Sequence, residues 1–422
     1  MKILVLNCGS SSIKYQLFDI ETKDVLAKGG IEKIGLEGSF IKFNLPNGEK
    51  ETIFAPIPEH TIGVRMIFDV LTSEKHGAIK SIDEIDAVGH RMVHGGEKFS
   101  ASTLLTDEVL EVFEACNDLA PLHNPANLKG VNAVKEVAPE MPQVGVFDTA
   151  FHQTMPDYAY RYAVPQAWYK ELGVRRYGFH GTSHLYVSKR AAAMLGKDAK
   201  DCNLITMHIG SGASATAIKN GISVDTSLGL TPLSGLTMGT RPGDLDPGVI
   251  LYVMEQLGLS PAQMQAHLNK DSGLKGITEC YADRRDVEEN KSTNDLCRLA
   301  IDTEVHNVKK YIGAYMAELG HVDAVVFTAG VGENDDYLRG LFCSGLENLG
   351  IKLDKEKNAK TLARLGVDET EISTPDSKVK VFMIPTNEEL VIVEDTLAIM
   401  NKTYNPNHLL MNYSFAQQQN QK

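Results

Sequence analysis

The sequence begins with a polar turn between two apolar runs, "LVLNCGSSSIKYQLFD", and this turn has the chemistry to hold an anion. It combines an amide, a glycine backbone, hydroxyls and a cation: Asn7, Gly9, Ser10, Ser12 and Lys14. Backbone N–H groups of a glycine turn form a concave donor surface for anions, to which hydroxyls and an ammonium add donors and charge. A Gly/Ser turn between strands is most often only a turn, so the rest of the chain must decide between the two interpretations.

A second glycine turn, "HIGSGAS", lies in a similar strand–turn–strand pattern at an offset of 201 residues. The offset aligns Asn7 with His208, Gly9 with Gly210 and Ser10 with Ser211. The run "GSGASA" matches the dinucleotide fingerprint G-x-G-x-x-G/A, but that fingerprint needs a helix after the glycines, and here Asn220-Gly221 predicts a hairpin. No segment matches the P-loop pattern G-x-x-x-x-G-K-[ST]. We therefore predict a duplicated unit with one phosphate clamp in each copy.

Charged and imidazole side chains follow several of the apolar runs. Arg91 comes after "IDAVGH", where a guanidinium could hold a carboxylate through two parallel hydrogen bonds; the alternative is a structural salt bridge. Arg241 lies in "GTRPGD", a loop of the kind that carries functional residues. Asp148 ends the apolar strand "QVGVFD", where α/β sheets bind ligands. His180 and His184 have the HxxxH spacing of a zinc site, but no third ligand of matching type lies nearby, so we predict no zinc.

The elements that must position these residues change type along the chain. Short apolar strands surround each turn, and Pro46-Asn47-Gly48 predicts a further hairpin between "IKFNL" and "TIFAPI". Apolar spacing predicts helices at "TIGVRMIFDVLTS", "DEVLEVFEACNDLA", "PGVILYVMEQLG" and "DLCRLAIDTEVHNVKKYIGAYMAELG". "IDAVGH", "QVGVFD" and "VDAVVFTAG" predict buried strands. Because the pattern restarts near residue 203, we expect two βββ-then-αβ units that each present one polar turn to a shared cleft.

The bulk properties exclude several classes of protein. The length of 422 residues predicts two or three domains. A net charge of −13 argues against binding to nucleic acid or to an anionic membrane. Six scattered cysteines without a CxxC pair are typical of a reduced, cytoplasmic protein. No apolar run reaches the roughly 18 residues of a membrane span, and the N-terminal run is too short for a signal peptide. The polar end "MNYSFAQQQNQK" predicts a frayed tail.

Eight motifs, in order and across about residues 2–395, resemble the acetate kinase family: "NCGSSSIKYQLFD", "GHRMVHGG", "GVFDTAFHQTMP", "YGFHGTSH", "HIGSGAS", "TSLGLTPLSGLTMGTRPGDLDPG", "FTAGVGEN" and "IPTNEE". The resemblance implies an α/β fold of two duplicated ribonuclease-H-like lobes with a βββαβαβα core, of the acetate and sugar kinase/Hsp70/actin type. It implies an acceptor-side lobe at residues 1–151 plus about 387–404, a nucleotide-binding and dimerisation lobe at 152–386, and a polar tail at 405–422.

The resemblance also implies a homodimer and a reversible reaction in which ATP and acetate give acetyl phosphate and ADP by direct in-line transfer. The metal would be Mg²⁺, with Mn²⁺ as an alternative. By resemblance, Arg91 would contact acetate, while Arg241 and His180 would stabilise the transferring phosphoryl group. Mg²⁺ would be held by Asn7 and Glu388, a set of few oxygen ligands that suits this ion; Glu388 could equally serve as an acidic residue at a helix N-terminus.

The remaining site residues carry over from the family pattern by position. The apolar end of acetate would meet Val93, Leu122, Phe179 and Pro232, with His123 beside them. ATP would be bound by Ser10, Ser12, Lys14, His208, Ile209, Gly210, Ser211, Gly212, Asp283, Arg284, Arg285, Gly330, Val331, Gly332, Glu333 and Asn334. Two of these depart from the usual family residues, which are Asn at the position of Ser211 and Met at the position of Arg284.

Three questions stay open at the level of sequence. The family describes Asp148 as an acid/base residue, but an acceptor carboxylate is already ionised at pH 7 and needs no base. That argument favours a role for Asp148 in orienting an arginine or a metal-bound water. Propionate is the alternative substrate, since one methylene is worth only about 1–3 kcal/mol of discrimination. An actin- or Hsp70-like ATPase is the alternative class, against which the motifs around Arg91 and Arg241 argue.

Overall fold

A computed structural model describes residues 1–44, 48–121 and 123–417 and divides the chain into two compact units. Unit 1 comprises Met1–Phe151 and Asn387–Tyr413, and unit 2 comprises His152–Thr386 and the residues from Ser414 onward. Among the described residues, no helix combines the length and the apolar character that a membrane crossing requires.

Unit 1 is built on an eight-stranded sheet in the order β5-β4-β3-β2-β1-β6-β8-β7. Its strands are β1 (Lys2–Cys8), β2 (Ser12–Asp19), β3 (Asp24–Glu32), β4 (Phe40–Asn44), β5 (Lys50–Phe54), β6 (Ala87–Met92), β7 (Thr103–Leu104) and β8 (Gln143–Phe147). Its helices are α1 (His60–Thr72), α2 (Asp107–Glu114), α3 (Asn124–Val137) and α15 (Glu388–Met400). β1 to β5 form an antiparallel meander, while β1, β6 and β8 run parallel.

The central strand of unit 1, β1, has a continuous apolar run at residues 3–6 because both faces of the sheet are covered there. Along β1, Leu4 and Leu6 enter a core that includes residues of α1 and α3. Ile3 and Val5 point to the other face and pack with residues of β8 and α15. A strand that is buried on both sides has a continuous apolar run instead of an alternating pattern. This packing fixes the end of β1, where Asn7 and the first polar turn lie.

Unit 2 contains a six-stranded sheet in the order β11-β10-β9-β12-β14-β13. Its strands are β9 (Leu204–Ile209), β10 (Ala213–Lys219), β11 (Ile222–Thr226), β12 (Ala324–Thr328), β13 (Thr370–Glu371) and β14 (Lys380–Met383). Its helices are α4 (Asp157–Tyr160), α5 (Gln166–Leu172), α6 (Gly181–Leu195), α7 (Pro247–Leu257), α8 (Pro261–Lys270), α9 (Gly273–Thr278), α10 (Arg284–Asn290), α11 (Asp295–Leu319), α12 (Ala329–Asn334), α13 (Asp336–Cys343) and α14 (Lys355–Lys360).

The two sheets share one topology. In unit 1 the run β3-β2-β1-β6-β8-β7 has two antiparallel pairs, two parallel pairs and a final antiparallel pair. In unit 2 the run β11-β10-β9-β12-β14-β13 has the same sequence of directions. The predicted duplication is therefore confirmed, with β4 and β5 as an addition to the first copy.

Three local predictions concern the hairpin of β4 and β5, the end of α2 and the tail. Pro46 and Asn47 of the predicted hairpin lie outside the described residues, although β4 and β5 do pair antiparallel. The helix predicted through residue 120 ends at Glu114, where the chain bends and the carbonyl of Cys116 accepts a hydrogen bond from Asn124. The frayed tail is wrong as far as residue 417, because Phe415 is buried and Arg190 of α6 donates to the carbonyls of Phe415 and Gln417.

Candidate active site

In unit 1, parallel strands bring Arg91 and Asp148 together. Arg91 lies on β6 beside Val146 of β8, and Asp148 follows β8 directly. The guanidinium donates from Nε to Oδ1 of Asp148 at 3.0 Å and from a terminal nitrogen to Oδ2 at 2.5 Å. Asp148 is only 1% exposed, and Arg91 is the cation that pairs with it. The geometry of Asp148 is that of a residue that orients an arginine.

Further carboxylates and an amide surround this pair. Burial opposes the charge of Arg91, but the charges of Asp148, Glu388 and Glu389 outweigh it and raise the pKa of the guanidinium. Loss of solvation raises the pKa of Glu388 above its usual range, and Asp148 and Glu389 add to this rise while Arg91 opposes it. A second terminal nitrogen of Arg91 lies 3.5 Å from Oδ1 of Asn7. Asn7, Lys14, Arg91, Asp148 and Glu388 form what we call the Arg91 cluster.

The donor set of the Arg91 cluster fits Mg²⁺. Asn7 and Glu388 offer an amide and a carboxylate oxygen, which are hard ligands, and Mg²⁺ is usually bound by one or two such groups plus waters and phosphate oxygens. Glu388 is also the first residue of α15, where Asn387 caps the helix by accepting from the N–H of Leu390. A carboxylate in the first turn is favoured by the helix dipole as well, so position alone does not separate the two roles.

Two asparagines that sequence reasoning missed hold the backbone at and next to Val93, a predicted acetate-side residue. Asn127 of α3 donates to the carbonyl of Cys8 at 3.0 Å and accepts from the N–H of Val93 at 2.9 Å. Asn124 accepts from the N–H of His94 and donates to its carbonyl. The sequence feature that could have identified them is the pair of asparagines in the first turn of an apolar helix, "HNPAN". His123 lies immediately before α3, and Leu122 lies outside the described residues.

The first polar turn is braced from α1. The N–H of Gly9 donates to the carbonyl of Ser12 at 2.8 Å, and the carbonyl of Gly9 bonds to Nε2 of buried His60 at 2.8 Å. Ser10 lies in the turn, Ser12 is the first residue of β2, and Lys14 projects from β2. Sequence reasoning missed His60, since a histidine that starts a helix has no distinctive pattern.

In unit 2, His180 and Arg241 meet over the second glycine turn. A Cβ atom built on Gly212 would lie 2.6 Å from a terminal nitrogen of Arg241 and 3.7 Å from Cε1 of His180. A side chain at this position would displace the end of the Arg241 guanidinium from the turn. His180 has a left-handed backbone (φ 56°) just before α6, and its ring stacks on that of His208 with centroids 4.1 Å apart. A left-handed non-glycine residue stores strain of the kind found at functional sites.

Arg241 differs from Arg91 in its charge balance. Its guanidinium donates to the carbonyl of Pro232 at 2.8 Å, a neutral partner. Burial lowers the pKa of Arg241, and in the part of the chain that the structure describes no carboxylate offsets this effect. Such a group favours an incoming anion, because the anion supplies the missing negative charge. The carbonyl of buried Phe179, next to His180, bonds to Nε2 of His152 at 2.9 Å.

One histidine of the HxxxH pair in unit 2, His184, has its ring fully engaged in hydrogen bonds. Both ring nitrogens of His184 are hydrogen-bonded, one to Thr206 at 2.7 Å and the other to Ser214 at 2.8 Å. His184 is a buried structural histidine in this fold.

A cavity of about 820 Å³ in unit 2 gathers most of the predicted nucleotide segments. Its lining includes Gly210, Ser211, Asp283, Arg284, Arg285, Gly330, Val331 and Asn334. Sequence reasoning missed the rest of its wall: Gly239, Ala282, Glu288, Asp335, Asp336, Tyr337 and Arg364. These residues lie on loops and helix ends far apart in the chain, so no local motif marked them.

Several predicted nucleotide residues support the cavity instead of lining it. Glu333 accepts from the N–H groups of Ala329 and Thr386, which braces the junction of β12 and α12. The carbonyl of Gly332 accepts from buried Arg339. Ile209 is fully buried in the sheet.

Asp283 and Arg284 also have partners of their own. Asp283 caps α10 and pairs with Arg285, whose hydrogen bonds lower the pKa of Asp283 to about 2. Arg284 forms a bidentate pair with Glu304 of α11, and both side chains are nearly inaccessible to solvent. The usual family methionine at this position is thus replaced by one half of a buried ion pair.

Comparisons with known proteins identify the family of this chain. The model of the Acetokinase family matches residues 2–394. The acetate kinase of Phocaeicola vulgatus is 59% identical over 95% of this chain and 100% of its own length. That of Geobacter metallireducens is 52% identical over 99% of each chain.

Solved structures extend the comparison. The crystal structure of Porphyromonas gingivalis acetate kinase has a TM-score of 0.90 at 52% identity and covers 94% of this chain and 99% of its own. A propionate kinase from Francisella tularensis has a TM-score of 0.86 at 42% identity, over 93% and 97% of the two chains. With a family model that spans nearly its whole length and relatives above half identity, this chain belongs to the acetokinase family.

Proposed function

We propose that this protein transfers the γ-phosphoryl group of ATP reversibly to the carboxylate of acetate, giving acetyl phosphate and ADP. The observation that carries the proposal is the family match over residues 2–394. It is supported by two arginines with different partners: Arg91 is paired with a buried carboxylate, and Arg241, beside a glycine turn, donates to a neutral carbonyl.

The Arg91 cluster is proposed to hold the acceptor. Asp148 takes two N–H groups of Arg91 and fixes the plane of the guanidinium, which leaves the other N–H groups for a substrate carboxylate. Acetate is ionised at neutral pH, so it can attack without losing a proton. We therefore infer that Asp148 orients Arg91 and takes no proton. Val93, held through its N–H by Asn127, would contact the methyl group, as would Leu122, Phe179 and Pro232.

Unit 2 is proposed to bind the nucleotide and to stabilise the charge that moves. The 820 Å³ cavity would take the adenosine and the first phosphates, with the turn at Gly210 and Ser211 at its edge. Arg241 and His180 would stabilise the equatorial oxygens of the phosphoryl group in an in-line transfer, where catalysis is mainly positioning and charge stabilisation. Asn7 and Glu388 would hold Mg²⁺, which when bound neutralises charge on the β- and γ-phosphates.

We also propose a homodimer formed through α7 and α8. An apolar groove of about 350 Å³ is lined by Leu245, Val249, Val253, Leu257, Met264 and Leu268. On the same helix, Leu251 is 71% exposed and Tyr252 is 64% exposed. A contiguous apolar surface of this kind is typical of a subunit interface. Leu257→Glu should yield monomers in light scattering, and an unchanged dimer mass would contradict this surface.

Hydroxamate detection of the acyl phosphate tests the reaction directly. Purified protein with ATP and Mg²⁺ should form hydroxamate with acetate after hydroxylamine is added, and none without ATP. A protein that hydrolyses ATP equally well without any carboxylate would contradict the proposal and favour an ATPase.

Propionate is a second candidate acceptor, because the Francisella structure at 42% identity is a propionate kinase. Comparison of kcat/KM for acetate, propionate and butyrate in the same assay decides between them. An added methylene changes binding by about 1–3 kcal/mol, or roughly 10- to 200-fold. A cytoplasmic location is proposed with this function, supported by the six free cysteines.

A further inference from the structure

A buried chain of hydrogen bonds in unit 2 ends at His180. Oγ of Ser214 lies 2.9 Å from Nδ1 of His180 and 2.8 Å from Nε2 of His184. Nδ1 of His184 lies 2.7 Å from Oγ1 of Thr206. Thr206, His184 and Ser214 are all fully buried. The order of the chain is therefore Thr206, His184, Ser214 and His180.

The register of the sheet explains why these groups meet. Thr206 of β9 lies opposite Thr216 of β10, and Ser214 lies opposite His208. Cross-strand partners and alternate residues share one face of a sheet. The hydroxyls of Thr206 and Ser214 therefore lie on the same face, and α6, which packs on β9, supplies His184 between them.

The proton positions follow from counting donors. Burial, with smaller contributions from His152 and His208, lowers the pKa of His184 well below its usual range, so its ring is neutral and carries one proton. Among the described residues, the Thr206 hydroxyl forms its hydrogen bond with His184. A buried hydroxyl proton without an acceptor is costly, so Thr206 donates to Nδ1 of His184. The proton of His184 is then on Nε2.

The same count of hydrogen-bond donors determines which ring nitrogen of His180 carries the proton. Nε2–H of His184 donates to Ser214, so the single proton of Ser214 is free to donate to Nδ1 of His180. We propose that Thr206, His184 and Ser214 are positioning residues that hold His180 as a neutral imidazole with its proton on Nε2. This inference rests on the proposed function, in which His180 donates a hydrogen bond to the phosphoryl group.

The opposite direction of the hydrogen bond between Ser214 and His180 would prevent His180 from donating to the phosphoryl group. If Ser214 accepted from Nδ1–H of His180, a neutral ring would present a lone pair at Nε2 and would repel a phosphoryl oxygen. Cε1 of His180, which is bonded to both ring nitrogens, and a terminal nitrogen of Arg241 flank the turn at Gly212, so the ring lies beside the guanidinium at this turn. The chain of hydrogen bonds from Thr206 through His184 and Ser214, which we call the relay, thus prepares the donor on His180 before the substrate arrives. Electrostatic stabilisation of a transition state requires such preparation.

Nitrogen-15 spectroscopy of the wild-type protein tests the tautomer without any substitution in the relay. The full chain is labelled with [¹⁵N]histidine, and the signals of His180 are assigned by their loss in His180→Asn. We expect an unprotonated, hydrogen-bonded signal for Nδ1 and a protonated signal for Nε2 at the pH of the activity assay. A protonated Nδ1, either alone or in an imidazolium ring, would overturn the inference.

Steady-state kinetics test whether the relay matters for turnover. Ser214→Ala should lower kcat by about tenfold or more, with the KM values for ATP and acetate within about threefold, as expected for a group that acts in the transition state. Ser214→Thr restores the hydroxyl and should recover most of kcat. Thr216→Val is the matched control, because Thr216 is fully buried on the same strand and bonds to Thr226 instead of a histidine.

Thr216→Val should keep kcat within about twofold. Wild-type kcat in Ser214→Ala would overturn the inference. An equal loss of kcat in Thr216→Val and Ser214→Ala would overturn it as well, since the loss would then report packing of β10. Failure of the proposed function is distinct from both results: wild-type protein would form no acyl phosphate, whereas the tautomer of His180 is read without turnover.

Discussion

At the scale of single residues, removal of Arg91 should affect both binding and stability. Arg91→Ala takes away the proposed carboxylate clamp and leaves Asp148, which is 1% exposed, without its cation. We expect a higher KM for acetate and a loss of up to about 3 kcal/mol in the free energy of unfolding, discounted because Arg91 is partly exposed. The double variant Arg91→Ala/Asp148→Asn should regain much of the stability in calorimetry but not the KM. Recovery of both would contradict the assignment of Arg91 to the substrate.

Loss of Arg241 should have a different effect, because within residues 1–44, 48–121 and 123–417 no carboxylate is paired with Arg241 and none would be left without a cation. Arg241→Ala removes a charge that is needed most when the phosphoryl group moves, so kcat should fall by about 10²–10³-fold with a small change in melting temperature. Steady-state kinetics and thermal unfolding on the same preparation measure both quantities. A kcat near that of the wild type would be incompatible with the proposed role.

Ser211 is an exposed residue at the edge of the 820 Å³ cavity, and its carbonyl, not its side chain, accepts from the N–H of Gly239. The glycine backbone is therefore expected to provide most of the phosphate contacts. Ser211→Asn, which restores the usual family residue, should keep activity and change the KM for ATP by no more than about tenfold. Loss of turnover in a folded Ser211→Asn protein would show that the nucleotide site differs from the family pattern.

Residue chemistry alone identified the cations and the turns, but it did not identify what supports them. Asn127 contacts Cys8 and Val93, which are 119 and 34 residues away in sequence. His60 reaches Gly9 over 51 residues. Such contacts depend on how α1 and α3 pack on the sheet, and no local pattern records that packing. Ser214 and Thr206 were missed for the same reason.

At the scale of elements, α10 and α11 are joined by the buried pair of Arg284 and Glu304. Burial raises the pKa of Glu304, which is 1% exposed, and the nearby charge of Arg284 offsets part of that rise. Arg284→Met should therefore leave an unpaired buried carboxyl and cost about 3–5 kcal/mol in urea unfolding. Arg284→Met/Glu304→Met should restore most of that loss, because an apolar pair of similar size is often neutral or stabilising.

Arg285→Met is the control for this pair, since Arg285 is the next residue of α10 but is paired with Asp283 at the surface. An exposed ion pair contributes about 1 kcal/mol or less. If the urea midpoint moved equally in Arg284→Met and Arg285→Met, the buried pair would not be the cause.

Helices and strands were predictable where the apolar residues followed a clear helical spacing or formed a continuous run. α1, α7 and α11 appear where apolar spacing placed them, and β6, β8 and β12 appear as continuous apolar runs. The prediction failed where tertiary contacts decide, as at the end of α2. It also failed at the tail, where one aromatic residue, Phe415, finds a buried position beside Tyr186 of α6 with ring centroids 4.8 Å apart.

At the scale of the whole molecule, the duplication was visible in sequence only through its two turns. The offset of 201 residues related the turns, whereas the matching strand orders of the two sheets became clear only from the hydrogen-bonded pairs. Strand order depends on crossover connections, and the copies differ in the helices and loops that make them. Sequence identity between copies therefore decays faster than topology.

The stability of unit 1 should depend on pH through Asp395 of α15. Asp395 is 3% exposed and accepts hydrogen bonds from Ser102 at 2.6 Å and Tyr413 at 2.8 Å. Burial raises its pKa from 3.8 to about 6. Between these values the folded protein holds a proton that the unfolded chain has released, so the free energy of unfolding falls as pH rises through this window. The change is up to about 3 kcal/mol, and it is complete above about pH 6.

Asp395→Asn should remove this dependence, because an amide does not titrate. The variant should gain stability relative to the wild type as pH rises from about 4 to 6, and the difference should stay constant at higher pH. Thermal unfolding of both proteins across this range measures the difference. Glu140→Gln, at an exposed position, controls for the loss of one negative charge. A difference between Asp395→Asn and wild type that does not vary with pH would mean that the buried carboxyl is not protonated in the folded protein, and that Ser102 and Tyr413 alone sustain its charge.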